Sequence, residues 1–387
     1  MPAFKLAFLS SAFKYLSLDY MKYHNLIIYM ACICPTGLYA APEDLFLQAQ
    51  SLAKETKSSL KFTTELNAVN DRIDFLDIRQ SEGVQNSNAG DYMGAHFAME
   101  YQFHPQWIVD GSYWYREIDY AQDTNTIHSG SLGIRYFPEL NLNKKDRFFI
   151  AATLWGNQAN ELNKSTATIV NQQRLEQLQV NQPQDLQFQL NGVFSRKLDP
   201  MNQINLFAGV GYSQVKVDSL DIQAKYNGCL MDININSSNQ YSGKLNKPCS
   251  IDNLLINQLN ISGNASDYGI EIQNDLNYNA YFTSLGGSWN WRYRQFESQI
   301  AYQYQHLWRD NIDDRVRNFG NTPVNNNHSL GLKLSYDVTP KISTFMKGEF
   351  YQHNFIGNIP FLYNGVTASR LDRRYGLATL GLTFQGF

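Results

Sequence analysis

Cysteine is scarce in this chain. There are four in 387 residues, and two of them, Cys32 and Cys34, lie within the first forty positions. That excludes a disulfide-dense small scaffold and a four-cysteine zinc module. Proline numbers only 11, too few and too scattered for a stiff proline-rich linker. Charge is sparse as well. It sits on 17% of residues with a formal balance of −3, which gives no electrostatic footprint for nucleic acid. Beyond the N-terminal region no apolar run approaches the roughly 20 residues of a membrane-spanning helix. Aromatic residues, by contrast, make up 14% of the chain, with 24 Tyr and 23 Phe, which excludes a disordered polymer. The length allows two or three soluble domains or one large one, and the composition points to an all-β fold.

Residues 21–40 combine Lys22, an apolar stretch from Leu26 to Ile33, and small residues at Ala40 and Ala41. This is the pattern of a secretory signal peptide, and the apolar part is too short to cross a bilayer. Cleavage is expected after Ala40, making 1–40 the signal. Met21 is a candidate true start, and a long leading region from Met1 is the other reading. Export leaves Cys229 and Cys249 in the mature chain, and two thiols on an exported protein are expected to form one disulfide. A metal site is the alternative. It lacks a nearby His and a complete ligand set, so no metal and no cofactor are expected.

From Ser59 onward the chain reads as twelve alternating segments: 60–70, 92–103, 107–119, 128–137, 147–157, 185–198, 203–217, 274–293, 295–308, 327–338, 341–354 and 372–387. Their lengths suit tilted membrane-spanning strands. Short connections such as His104-Pro105-Gln106, Asp199–Asn202, Arg294 and Thr339-Pro340 alternate with long polar ones at 71–91, 120–127, 158–184, 218–273, 309–326 and 355–371. Short turns on one rim and long loops on the other predict an antiparallel transmembrane β-barrel over 59–387, with periplasmic turns and extracellular loops. Facing agrees. The tenth segment sets Leu330, Leu332, Leu334 and Tyr336 against Ser329, Gly331, Lys333 and Ser335, and charges keep one parity within each tested strand. Glu117 and Arg196, near strand ends, are the exceptions. Trp107 and Trp291 beside short turns, with Trp155 and Trp308 beside long loops, suggest two interfacial aromatic girdles.

The last segment ends Tyr-Gly-Leu-Ala-Thr-Leu-Gly-Leu-Thr-Phe-Gln-Gly-Phe. An alternating apolar strand closed by an aromatic resembles the terminal strand of Gram-negative outer-membrane β-barrel proteins, porin-like in architecture over the whole mature region. The resemblance implies an outer-membrane location and contact with outer-membrane lipid and lipopolysaccharide. It also implies recognition by barrel-assembly machinery through Phe384 and Phe387. Ala378, Leu380, Leu382 and Phe384 run one residue out of phase with Phe387, so Gly386 reads as an insertion and a bulge or frayed end is expected.

Twelve strands lie between filled small barrels and open porins, so the expected lumen is narrow and partly occluded. Its ionisable lining is expected to be Lys61, Glu65, Glu100, Asp110, Arg116, Arg135, Glu297, Lys333, Lys347 and Glu349. The set is balanced in sign. It reads either as a path for small polar solutes or as satisfied pairs filling the barrel. Acidic groups on the first three strands facing Lys333 and Lys347 suggest a transverse field. Segment 41–58 is a tether or a plug, with Leu45, Leu47, Leu52 and Ala53 suited to a short helix. Loop 218–273 folds inward as a constriction or outward as a recognition element. The function expected is a porin-type channel. The alternatives are a surface recognition barrel acting through its loops and an outer-membrane enzyme. Catalysis finds little support, because His128-Ser129 and His328-Ser329 are adjacent pairs facing opposite ways. Asp310, Asp313 and Asp314 interleave with Arg309, Arg315 and Arg317 and read as a solvated loop.

Overall fold

The computed structural model describes residues 45–49, 60–69, 91–120, 123–164, 168–170, 173–251, 254–318, 322–352, 359–364 and 375–386. The expected signal at 1–40, most of 41–58 and Phe387 lie outside them. Twelve antiparallel strands close into a barrel. In chain order these begin with β1 (Leu60–Val69), β2 (Asp91–His104), β3 (Trp107–Tyr120), β4 (Asp123–Tyr136), β5 (Asp146–Gln158) and β6 (Gln184–Lys197). The remainder are β7 (Asn202–Lys216), β8 (Tyr278–Tyr293), β9 (Phe296–Arg309), β10 (Asn326–Thr339), β11 (Ile342–Tyr351) and β12 (Tyr375–Gln385). Each pairs with its neighbour in this order. The ends meet between β1 and β12, with Thr63 opposite Thr383 and Leu66 opposite Leu380.

Alternation builds an apolar exterior. Phe97, Leu132, Leu154, Phe188, Leu206, Leu285, Ile300, Leu332, Met346 and Leu380 all project outward and are exposed, and they come from ten different strands. Phe62 on β1 and Tyr113 on β3 complete the ring. A closed barrel with such a belt satisfies its backbone internally and presents hydrocarbon all round, which is what a bilayer core requires.

Turns of two to nine residues join the strands at one rim: 105–106, 137–145, 198–201, 294–295 and 340–341. The opposite rim carries the loops, with one correction. The expected loop at 120–127 is only the pair 121–122, because Asp123–Ile127 continues as strand. The polar residues here are β-compatible Thr124, Asn125 and Thr126, and the extension has a partner. The Asn163 backbone N–H donates to Asn125 Oδ1 at 2.6 Å.

A second sheet stands on the loop rim. It takes strands from two loops, in the order 260–264, 240–245, 229–236, 219–226, 173–181 and 161–164, with 168–170 also paired to 173–181. It grows directly out of the barrel wall. Gln184 pairs with Lys216 at the end of β6 and β7, and Asn181 pairs with Ser219 just beyond. One register therefore runs through the break, which is marked by Gln182 in left-handed backbone at φ 48°. Loop 218–273 accordingly builds outward as an ordered sheet. Cys229 and Cys249 are disulfide-bonded within it, tying strand 229–236 to the small hairpin of 249–251 and 254–256.

The sheet's apolar face includes Leu178, Val180, Leu220, Ile222 and Ile235, which belong to the largest buried cluster. That cluster also takes in the inward ends of the barrel strands and loop residues Ile312, Val316, Ile359, Phe361 and Tyr363. Trp155 belongs here and not to a girdle. It is 2% exposed and packs edge-on against Phe282 inside the barrel, while its neighbour Leu154 takes the outward position. Trp308 is half exposed on the exterior, as a girdle residue would be. At the chain end, strand pairing stops at Gln385 and Gly386 turns to φ 89°, a conformation that favours glycine.

Candidate functional site inside the barrel

Two groups of described residues occupy the barrel interior. At the loop rim, residues 359–364 dip into the barrel mouth, and Ile359, Phe361, Tyr363 and Asn364 are fully buried. The Tyr278 hydroxyl donates to the Pro360 carbonyl at 2.7 Å. Tyr363 Oη donates to Asp313 at 2.8 Å and accepts from the Val324 N–H at 3.2 Å. Arg309 lies over the Tyr363 ring at 3.9 Å and donates to the Val324 carbonyl at 2.7 Å. The acid–base run around 309–317 is divided: Asp310, Asp314 and Arg317 are exposed as expected of a solvated loop, while Arg309, Asp313 and Arg315 turn inward. Arg309 has no exposed side-chain surface, and Arg315 from the helix Ile312–Asn318 pairs with buried Asp275. Burial strengthens such pairs by removing competing water.

In the other half of the lumen, residues 45–49 lie along the wall. Gln299 donates to the Phe46 carbonyl at 3.2 Å, Asn290 to Gln48 at 2.8 Å, and the Ala49 N–H to Ser195 at 2.7 Å. Leu45 and Phe46 are seated on Ala301 and over Gly331, where a Cβ would stand 2.6–2.7 Å from their side chains. The five residues form a turn and irregular backbone, with no helix among them.

The wall itself has two characters. Strands β6 to β9 present amides and hydroxyls that bind one another. Asn205 donates to Ser288 at 2.8 Å and Asn290 at 3.0 Å, and Gln189 donates to Asn191 at 3.0 Å and Ser284 at 3.2 Å. The abundance of Asn and Gln in the chain has this interior use. Strands β1 to β4, β10 and β11 carry the charges of the central lumen. Lys61, Glu65, Glu100, Asp110, Arg135 and Lys333 line a cavity of about 230 Å³ beside Leu47. Arg135 bridges Glu100 at 2.8 Å and Asp110 at 3.0 Å, and Lys61 stands 3.9 Å from Glu100. Lys333 lies over the Phe345 ring at 4.7 Å.

The other ionisable candidates sit elsewhere. Lys347 meets Glu65 at 2.9 Å on the opposite side of that carboxylate from His96, which is 3.5 Å away. Arg116 is buried beneath the cap, stacked on Trp114 at 4.4 Å, and donates to Ser129 and Asn157. Glu297 is near the turn rim with Arg292 at 2.7 Å, and Glu349 accepts from the Tyr351 hydroxyl at 3.4 Å. The expected transverse field is therefore largely cancelled, since Lys347 and the acidic strands pair directly. Sequence reasoning missed Asp185, which accepts from Asn157 at 2.8 Å and from the Phe361 N–H at 3.5 Å, linking wall to cap. It also missed the cap itself. Its signal was the apolar run Ile359-Pro360-Phe361-Leu362-Tyr363 inside a polar loop. Among the described residues no group of three or more metal-ligating side chains converges.

No protein-family model matches the chain, and no curated protein matches it either. Solved structures do resemble it. The β domain of the Bordetella autotransporter BrkA aligns at TM-score 0.43 and 9% identity, over 85% of this chain and all of that one. The translocator domain of the autotransporter NalP from Neisseria meningitidis aligns at 0.42 and 8%, over 84% and 86%. The CymD monoaromatic hydrocarbon channel aligns at 0.37 and 9%, over 85% and 89%. The closed twelve-strand antiparallel barrel with its apolar belt is itself the fold of an outer-membrane β-barrel.

Proposed function

We propose that this protein resides in the outer membrane of a Gram-negative bacterium and admits small polar solutes through a lumen closed at rest. Barrel-assembly machinery would insert it, and its apolar belt would contact lipid and lipopolysaccharide. The supporting observation is the charged cavity between Leu47 and the barrel wall, with Lys61 and Lys333 offering positive groups and Glu100 and Asp110 negative ones. A solute bearing hydroxyls or both charges can exchange for these internal pairs at low net cost, because each displaced contact is replaced in kind.

The two closures are unequal. The cap shares the largest buried apolar cluster, whereas residues 45–49 are held by side-chain hydrogen bonds to Gln299, Asn290 and Ser195 and by two small apolar seats. At about 1 kcal/mol per net hydrogen bond, the segment is the cheaper gate. Swelling of liposomes in small sugars or amino acids tests the reading. The native protein should swell slowly, deletion of 45–49 should accelerate it, and deletion of 45–49 together with 359–364 should accelerate it further. No uptake by a folded double-deletion barrel would overturn the channel reading.

A further inference from the structure

The sheet on the loop rim has one face turned away from the buried cluster. In register across five strands this face carries Gln179, Asp221, Asn234, Ser242 and Ser262. A second row beside it carries Gln177, Gln223, Asp232, Lys244 and Asn260. Together the two rows line a groove of about 800 Å³. Four strand spacings make it about 19 Å long. Ile222, Ile233, Gly243 and Ile261 also border the groove, but they alternate with the two rows and belong to the other face of the sheet.

The chemistry of the rows narrows what fits. They hold no aromatic and no large apolar side chain, so a lipid or hydrophobic peptide finds no footing. Two carboxylates against one ammonium repel a polyanion. The carboxylates are also already occupied by amide donors. Asn234 and Asn181 donate to Asp221 at 2.7 and 2.6 Å, Gln223 donates to Asp232 at 2.9 Å, and Asn246 donates to both Asp232 oxygens at 2.9 and 3.1 Å. That saturation disfavours a divalent cation. It also fixes the long side chains before anything binds, which lowers the entropy lost on binding. A surface kept only for solubility is expected to be rich in Lys and Glu, yet these ten positions hold one Lys and no Glu. What remains are amides, hydroxyls and carboxylates alternating as donors and acceptors along a shallow trough. Chains of vicinal hydroxyls, which donate and accept at every ring, are its chemical complement.

We propose that this groove binds an uncharged oligosaccharide chain of several sugar units, independently of any solute passage through the barrel. Such a chain can come from outside or from the glycan of the cell's own lipopolysaccharide. The test is binding of free neutral oligosaccharides of two to eight units, and of smooth and rough lipopolysaccharide, to the folded full-length protein in detergent. Saturable binding of a free neutral glycan, or of smooth but not rough lipopolysaccharide, is expected, and the pattern identifies the source. Asn234→Ala/Ser262→Ala should weaken it at least tenfold while the β-sheet circular dichroism and the disulfide are retained. Asp232→Asn/Lys244→Gln, which removes the charges and nearly keeps the shape of the groove, should weaken it as well. Absence of binding to every glycan tested, or binding unchanged in both double variants, would overturn the proposal.

Discussion

Lys347 on β11 reaches across β12 to place its Nζ 2.9 Å from Oε1 of Glu65 on β1. The two side chains are 9% and 8% exposed and straddle the seam where the ends of the barrel meet. Gly381, opposite Glu65 on β12, makes room for the Phe345 ring of β11, and the Lys347 ammonium stands 5.5 Å from the centre of that ring. Removing one partner strands a buried charge. Lys347→Met or Glu65→Gln should each cost about 3–5 kcal/mol, and the double substitution should recover much of that. Denaturant unfolding in detergent micelles, run as a double-mutant cycle, measures the difference. Additive losses would show that the pair does not hold the seam.

Gly331 gives residues 45–49 their seat. Gly331→Val should press on Leu45 and Phe46 and displace the segment while leaving the exterior of β10 unchanged, because position 331 faces inward. A disulfide engineered between positions 46 and 299 would report the segment's position. It should form readily in the native background and poorly with Gly331→Val.

Phe361 is a fully buried aromatic of the cap. Phe361→Ala should lower stability at the loop rim by about 3–5 kcal/mol, the usual cost of emptying a buried aromatic site. Hydrogen exchange should rise across 312–318 and 359–364 and stay unchanged in β1 to β3 toward the turn rim. A uniform rise over the whole barrel would mean that the cap is not a separate layer.

Asp275 gives the loop rim a pH dependence. Burial pushes its carboxyl above the usual value despite the opposing pull of Arg315. The folded state therefore holds this proton more tightly than the unfolded chain, so the contribution is present below the unfolded pKa and lost as pH rises through the folded one. Exchange protection of 272–277 should fall as pH rises from the ordinary carboxylate range toward neutrality. Asp275→Asn should flatten that response.

The disulfide should matter locally. Cys229→Ser/Cys249→Ser opens a closure spanning 20 residues, worth ~3 kcal/mol by loop entropy. Proteolysis should quicken within 229–256 while the barrel remains folded.

Much of the barrel was legible because its signals are local. Leu330, Leu332 and Tyr336 alternate with Ser329, Gly331 and Lys333 whatever lies around them, and Pro105, Pro200 and Pro340 mark the short turns. The expected twelve segments match the twelve strands to within a few residues at most ends. The larger boundary shifts fall at the starts of β4 and β8, while the expected ends at 354, 372 and 387 lie outside the described residues. What escaped depended on partners distant in sequence. Strand 173–181 pairs with 219–226 across the whole of β6 and β7, and no local period announces that. Thr124, Asn125 and Thr126 read as loop because their polarity was visible and their contact with Asn163 was not. Trp155 read as interfacial because a strand end near a loop looks the same whether its side chain points to lipid or to a buried cap.

The register shared by the β6–β7 hairpin and the outer sheet has a mechanical consequence. Gln184–Lys216 and Asn181–Ser219 are rungs of one ladder, interrupted only by the kink at Gln182. A flexible tether would let the sheet swing freely and absorb a pull. This connection instead makes the sheet a lever with its fulcrum in the barrel wall. Force or torque applied at its far edge, strand 260–264, passes through backbone hydrogen bonds into β6, the strand whose Asp185 holds the cap.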